Sequence, residues 1–199
     1  MDKRKFSQLE RDVVPKGSNS QGVLAQAKLI ETIPLEELIE KAFEKDENPV
    51  LLALDEITDP HNLGAAARSA EGAGALGIIV PERNSAPLSA AAVKASAGAL
   101  KYIPVAREVN LVNALIKCKD AGLWVIGTAA DAKKKHTEED FLKPTVVVIG
   151  SEGKGMRPSV RKQCDEFVRI PLQGSIESLN ASVSAAVILF EIQRQRKNN

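Results

Sequence analysis

An α/β fold, with a mostly parallel sheet and helices on both faces, is the architecture this sequence predicts, and three observations carry it. Short apolar runs recur from Val50 onward, alanine-rich or 3.6-period segments lie between most of them, and glycines stand where those segments should stop. Strand and helix in alternation imply a parallel sheet covered on both sides.

Taken in order, residues 23–27 read as a strand and residues 34–44 as a short amphipathic helix, with residues 16–20 as a loop. Forty-odd residues cannot easily bury a core of their own. Residues 1–47 are therefore expected to be an arm or remnant of something larger, joined through Asp46-Glu47-Asn48-Pro49 to a main domain over residues 48–199. Within that domain, strands are expected over residues 50–54, 76–80, 102–105, 123–126, 146–149 and 167–170. Helices are expected over residues 62–73, 89–97, 109–121 and 178–196, with Gly74, Gly98 and Gly122 as C-terminal stops.

The chain has 199 residues, enough for one substantial core and a small appendage. At 44% hydrophobic and 27% charged it has the balance of a soluble globular protein. Its longest apolar stretches, such as residues 185–190, fall far short of the roughly 20 residues that cross a bilayer, so no membrane partner is expected. Met1-Asp2-Lys3-Arg4-Lys5 is followed by polar and acidic residues rather than an apolar signal region, which disfavours secretion. Two cysteines, Cys118 and Cys164, lack metal-ligand spacing and fit buried thiols in a reducing cytoplasm. The net charge of +1 does not announce a nucleic-acid partner. Cations nevertheless cluster at Lys133-Lys134-Lys135-His136, at Arg157 with Arg161-Lys162, and at Arg194-Gln195-Arg196-Lys197, each of which either touches phosphates or is a solvated face.

Three blocks of glycine and small residues each follow a short apolar run: residues 59–68, 150–157 and 170–180. A strand entering a glycine-permissive turn exposes backbone groups that a bulky side chain would cover, which suits a nucleotide-like ligand. In the first block, Asn62 stands where an N-cap would open the alanine-rich helix, and Arg68 either pairs with Glu71 on the surface or clamps a phosphate. The second block, with glycines at 150, 153 and 155, has the order of neither a Walker loop nor a dinucleotide fingerprint, and Glu152 in it reads equally as a helix-terminus carboxylate. In the third block, Ser175 or Ser178 can cap the final helix, which leaves Gly174, the remaining serines and Asn180 unexplained by capping.

Together, in this order and spacing, the three blocks resemble the motifs of the SpoU family of RNA ribose 2'-O-methyltransferases, within the SPOUT superfamily. The segment from Asp2 to Gln26 looks like the tail of a ribosomal-protein-like RNA-binding domain carried by the branch that methylates a guanosine of 23S rRNA, although Ser20 stands where relatives commonly have histidine. The resemblance implies a C-terminal deep trefoil knot, a homodimer, and S-adenosylmethionine held by Gly127, Thr128, Gly150, Ile170, Leu172 and Leu179. It implies Asn62, Arg68, Glu152, Ser178 and Asn180 as catalytic residues, RNA as partner, a cytoplasmic location and no metal. On that basis Asn62 and Asn180 would orient the ribose and Glu152 would hold Arg68 or the loop. Arginine keeps its proton in almost any protein setting, so Arg68 is expected to donate to a developing alkoxide or a phosphate rather than act as base. The alternatives are a tRNA ribose 2'-O-methyltransferase and a catalytically inactive RNA-binding or ribosome-assembly factor.

Overall fold

The computed structural model describes residues 30–197; the strand expected over residues 23–27, the loop over residues 16–20 and Ser20 lie outside the described residues. One sheet holds seven strands among the described residues: β1 (Val50–Leu54), β2 (Gly77–Pro81), β3 (Val105–Glu108), β4 (Trp124–Thr128), β5 (Lys134–Lys135), β6 (Thr145–Ile149) and β7 (Glu166–Arg169). Their order is β3-β2-β1-β6-β4-β7-β5, and every neighbouring pair is parallel. The helices are α1 (Leu35–Lys45), α2 (Pro60–Gly72), α3 (Ala90–Ala95), α4 (Leu111–Asp120), α5 (Pro158–Arg161) and α6 (Ala181–Lys197).

Successive strand residues point to opposite faces, so a fully apolar strand feeds two cores. On one side Val50, Leu52 and Leu54 of β1 join Leu63, Ala66 and Ala67 of α2 with Ala185, Ile188 and Leu189 of α6. On the other, Leu51 and Ala53 join Leu35 and Leu38 of α1, Leu111 and Leu115 of α4, and Val160 of α5. All five residues of β1, β2 and β6 are buried, as a sheet covered on both faces requires.

Several boundaries differ from the sequence expectation. The strand expected over residues 102–105 is β3, and it starts only at Val105, which registers with Ile78. Residues before it are taken by a 3₁₀ turn at Ala99–Lys101, Tyr102 is 78% exposed, and Pro104 has no N–H to give to a ladder. The apolar run had concealed an edge strand that ends in the polar pair Arg107-Glu108. Lys134 and Lys135, read as part of a basic cluster, form the two-residue edge strand β5 and pair with Glu139 and Glu138.

From β1 the chain steps outward to β2 and β3, then returns to β4 on the other side of β1, leaving room for β6 between them. Where strand order reverses in this way, loops leaving neighbouring strands diverge and open a crevice at their carboxyl ends. The second and third blocks leave β6 and β7 at that end.

Candidate functional site

Two helix starts frame the crevice, and both fall off their expected positions. Helix α2 opens at Pro60 rather than Asn62; Asp59 is its cap, accepting from the His61 N–H at 2.9 Å, and proline takes the first position, where no N–H is needed. Helix α6 opens at Ala181, and its cap is neither Ser175 nor Ser178 but Asn180, whose Oδ1 accepts from the backbone of Ser182 at 2.9 Å and of Val183 at 3.3 Å. The shift places Asn62 within the first turn of α2, with its side chain free to reach the second block.

Asn62 Nδ2 donates to Glu152 Oε1 at 2.9 Å, and Asn180 Nδ2 donates to Glu152 Oε1 at 2.6 Å and to Asn62 Oδ1 at 2.9 Å. The Ala181 N–H adds a third donor to the same carboxylate oxygen at 3.4 Å. One glutamate thereby ties the start of α2, the β6 loop and the start of α6 together. Asn180 has spent its polar capacity here, since Nδ2 serves two acceptors and Oδ1 also takes the Ser182 hydroxyl at 2.6 Å. In this arrangement it staples the site, and Glu152 holds the two asparagines and with them the loop, not Arg68.

The β6 loop is shaped by its glycines. A Cβ on Gly150 would run into the backbone of Gly155 and Met156, because Ser151 and Gly155 close the loop with an antiparallel bridge. Gly153 and Gly155 take φ values of 76° and 68°, which favour glycine. Beyond the loop, Arg157 anchors it to the exit of β1: its N–H meets Asp55 Oδ2 at 2.8 Å, its Nε meets Oδ1 at 2.8 Å, and Asp55 is 0% exposed. Arg157 is thus committed to a buried carboxylate and is not a phosphate contact. The sequence holds a signal for this clamp, a charged residue directly after five buried apolar ones, but the pairing spans 102 positions.

The crevice has a volume of about 450 Å³, within the usual range for small-molecule sites. Among the expected residues, Thr128, Gly150, Glu152, Ile170, Leu172, Ser178 and Leu179 line it. Gly127 lies one layer beneath, where a Cβ would come within 2.9 Å of Met156 Cε and 2.6 Å of Phe167 Cε1; it lets the cleft floor pack. Thr128 Oγ1 donates to the Val148 carbonyl at 3.2 Å, joining β4 to β6 at the cleft. Sequence reading missed Asp131, Ser151, Lys154, Arg161 and Arg169 as lining residues. Glycine-opened main chain beside Ile149, Val168, Ile170 and Leu172 offers an adenosine group both hydrogen-bonding and apolar surface, so S-adenosylmethionine fits the residues present.

Arg68 is not gathered with the rest. It lies six residues beyond Asn62, roughly 9 Å along the helix on a different face, is exposed, and bonds none of the described residues, Glu71 included. It shares the stripe of Gly72, one turn on, whose missing Cβ would look onto the Phe190 ring of α6 at 4.0 Å. The other expected cation clusters are largely self-satisfied: Arg161 pairs with Asp131, Arg194 with Glu191, and Arg196 donates to the carbonyls of Phe141 and Lys143 at 3.0 Å. Burial pushes both thiols, Cys118 and Cys164, up to about 12, which leaves neither a nucleophile at neutral pH.

A parallel sheet with a glycine-built nucleotide cleft where its strand order reverses defines an α/β nucleotide-binding protein, and a particular one: the chain belongs to the SpoU rRNA Methylase family, which matches residues 49–190. It is 47% identical over 177 residues to the 23S rRNA (guanosine-2'-O-)-methyltransferase RlmB of Pseudomonas aeruginosa, covering 88% of this chain and 71% of that one. Its fold is similar to that of the SpoU methyltransferase AviRb of Streptomyces viridochromogenes in complex with AdoMet, with a TM-score of 0.69, 32% identity, and coverage of 76% of this chain and 62% of that one. The AdoMet-bound rRNA methyltransferase of Sinorhizobium meliloti gives 0.74 and 30%, with 83% and 61% covered. The chain thus spans about three fifths of the length of these solved structures.

Proposed function

We propose that the protein transfers a methyl group from S-adenosylmethionine to the ribose 2'-hydroxyl of a guanosine in 23S rRNA. The observation that carries this reading is the Asn62–Glu152–Asn180 junction set at the mouth of the glycine-lined cleft. Likeness to RlmB supports the choice of RNA and nucleotide.

When bound, S-adenosylmethionine supplies an electrophilic methyl on a sulfonium centre. Holding it falls to Gly150, Ile170, Leu172 and Leu179 with Thr128, mainly through main chain, with Gly127 packed below. The chain's other task is to place a hydroxyl in line and stabilise the charge that develops as its proton leaves. Glu152 Oε2 makes no bond to the described residues and is an open acceptor at that mouth, and Ser178 beside it is a donor or acceptor for the ribose. Arg68 is a permanent donor for the alkoxide or a neighbouring phosphate.

Arg68 reaches such a site when a second copy packs against α6. Val183 and Phe190 on that helix are 45% and 47% exposed, an open apolar stripe next to the one Arg68 occupies, and a homodimer would cover it. A trefoil knot is in keeping with residues 170–180 returning against the loop after β6, where Asn180 meets Glu152. The part of residues 1–47 ahead of α1 would contribute to RNA docking, whereas α1 itself packs into the core of the catalytic unit over residues 48–199. No helix among the described residues is long and apolar enough to cross a membrane, and a cytoplasmic location follows from the rRNA target.

Methyl transfer from labelled S-adenosylmethionine, offered 23S rRNA and tRNA in parallel and mapped to the nucleotide, tests the reading. Label on a 23S guanosine ribose is expected; label on tRNA alone overturns the target, and cofactor binding without transfer to any RNA favours an inactive binder. In the same assay Arg68→Ala should abolish transfer while leaving cofactor affinity largely intact, and full activity would remove Arg68 from the chemistry.

A further inference from the structure

Besides Glu152, the cleft lining carries an ion pair that the methyl-transfer roles above do not use. Arg161, at the end of α5, bonds both oxygens of Asp131 at 2.9 and 3.0 Å, and both residues line the cleft. The two side chains are 41% and 72% exposed, and two features suit the pair to a ligand. The guanidinium lies over the Phe167 ring at 4.5 Å from its centroid, which fixes its plane. Both bonds to Asp131 leave from the single nitrogen Nη2, so Nε and Nη1 have no partner among the described residues.

A ligand whose far end is a free amino acid presents an ammonium and a carboxylate two bonds apart, and it is met most economically by an adjacent carboxylate and guanidinium. S-adenosylmethionine has such an end. Of the charged side chains that line the cleft, Asp131 and Arg161 are joined as an ion pair and so present both charges side by side, which makes them the matched receptor. Resting on the methyltransferase reading above, we infer that Asp131 and Arg161 form the subsite for the amino-acid end of the methyl donor, the α-carboxylate on the free edge of Arg161 and the α-ammonium on Asp131. The adenosine part is then read by main chain and the amino-acid part by side chains, and these two halves can be separated experimentally.

Calorimetry with two non-reacting ligands makes the separation: S-adenosylhomocysteine, which keeps the amino acid, and 5'-methylthioadenosine, which lacks it. Wild type should bind the first more tightly. Arg161→Gln and, independently, Asp131→Asn should weaken S-adenosylhomocysteine by about tenfold, in keeping with the loss of a charge-assisted contact, while leaving 5'-methylthioadenosine unchanged. Retained 5'-methylthioadenosine affinity also shows that the variant is folded, and should Arg161→Gln fail to fold, Asp131→Asn carries the test alone. An equal loss for both ligands, or no loss for S-adenosylhomocysteine, overturns the subsite. Wild type binding neither ligand overturns the methyltransferase reading itself, and the subsite with it.

Discussion

A single oxygen of Glu152 takes three donors, and removing it frees the amides of Asn62 and Asn180 to bond water instead. The junction is partly exposed, so Glu152→Ala is expected to cost only about 1 kcal/mol in urea unfolding, toward the low end for bonds to a charged group. Its effect on methyl transfer should be larger, about tenfold or more in single turnover, because the loss lets two helix starts and the cleft loop drift apart. Unchanged turnover would mean that the staple is ornamental. Asn62, Glu152 and Asn180 were legible as a group through the family resemblance of the three blocks; residue type alone left Asn62 a cap and Glu152 a helix-terminus carboxylate. Their wiring was not legible. Expecting Asn62 to cap α2 and a serine to cap α6 misplaced both helix starts, since the caps depend on which side chain faces which free N–H, and local sequence offered several candidates.

At the scale of elements, α1 shows how a segment that reads as an appendage serves the sheet. Leu38 is 0% exposed and packs so closely on β2 that a Cβ on Gly77 would meet its Cδ1 at 2.5 Å. Leu38→Ala should therefore destabilise the fold by about 2–5 kcal/mol in urea unfolding, the range for a buried leucine. A loss under 1 kcal/mol by the same principle would show α1 to be peripheral. Helix α6 carries the other element-level prediction. Arg194 beside Glu191, aided by Gln195, holds the Glu191 carboxylate below its ordinary value. Stability from this group is present above the unfolded carboxylate range and is lost as pH falls through the lower folded value. Glu191→Gln should flatten the acid limb of the stability curve without moving the neutral one, as chemical unfolding at a series of pH values would read. The strands whose residues are buried on both faces were visible as uniform apolar runs, whereas edge strands β3 and β5 were misplaced or missed because their pairing relies on backbone, with Arg107, Glu108 and two lysines exposing little periodicity.

Over the whole molecule, the cleft, the open face of α6 and Arg68 pose one assembly question, since the arginine proposed for the chemistry is not among the residues that line the cleft of its own chain. On the proposed homodimer, Phe190→Glu should convert a two-copy mass in sedimentation into a one-copy mass and abolish methyl transfer while S-adenosylhomocysteine still binds, because the cleft is lined by one chain whereas the apolar stripe would form the contact between chains. A wild-type protein of single-chain mass with full activity would defeat that picture. The amino-acid order alone determined the fold class, the buried strands with their main helices, and the family, since burial on two faces writes itself as apolar runs and glycine-built turns write themselves as short motifs. Only the tertiary structure decided that Asn180 is a staple, that Arg157 serves buried Asp55 instead of a phosphate, and that Arg68 does not line the cleft. Those outcomes depend on contacts between residues tens to more than a hundred positions apart, whose distances and competing partners no local pattern encodes.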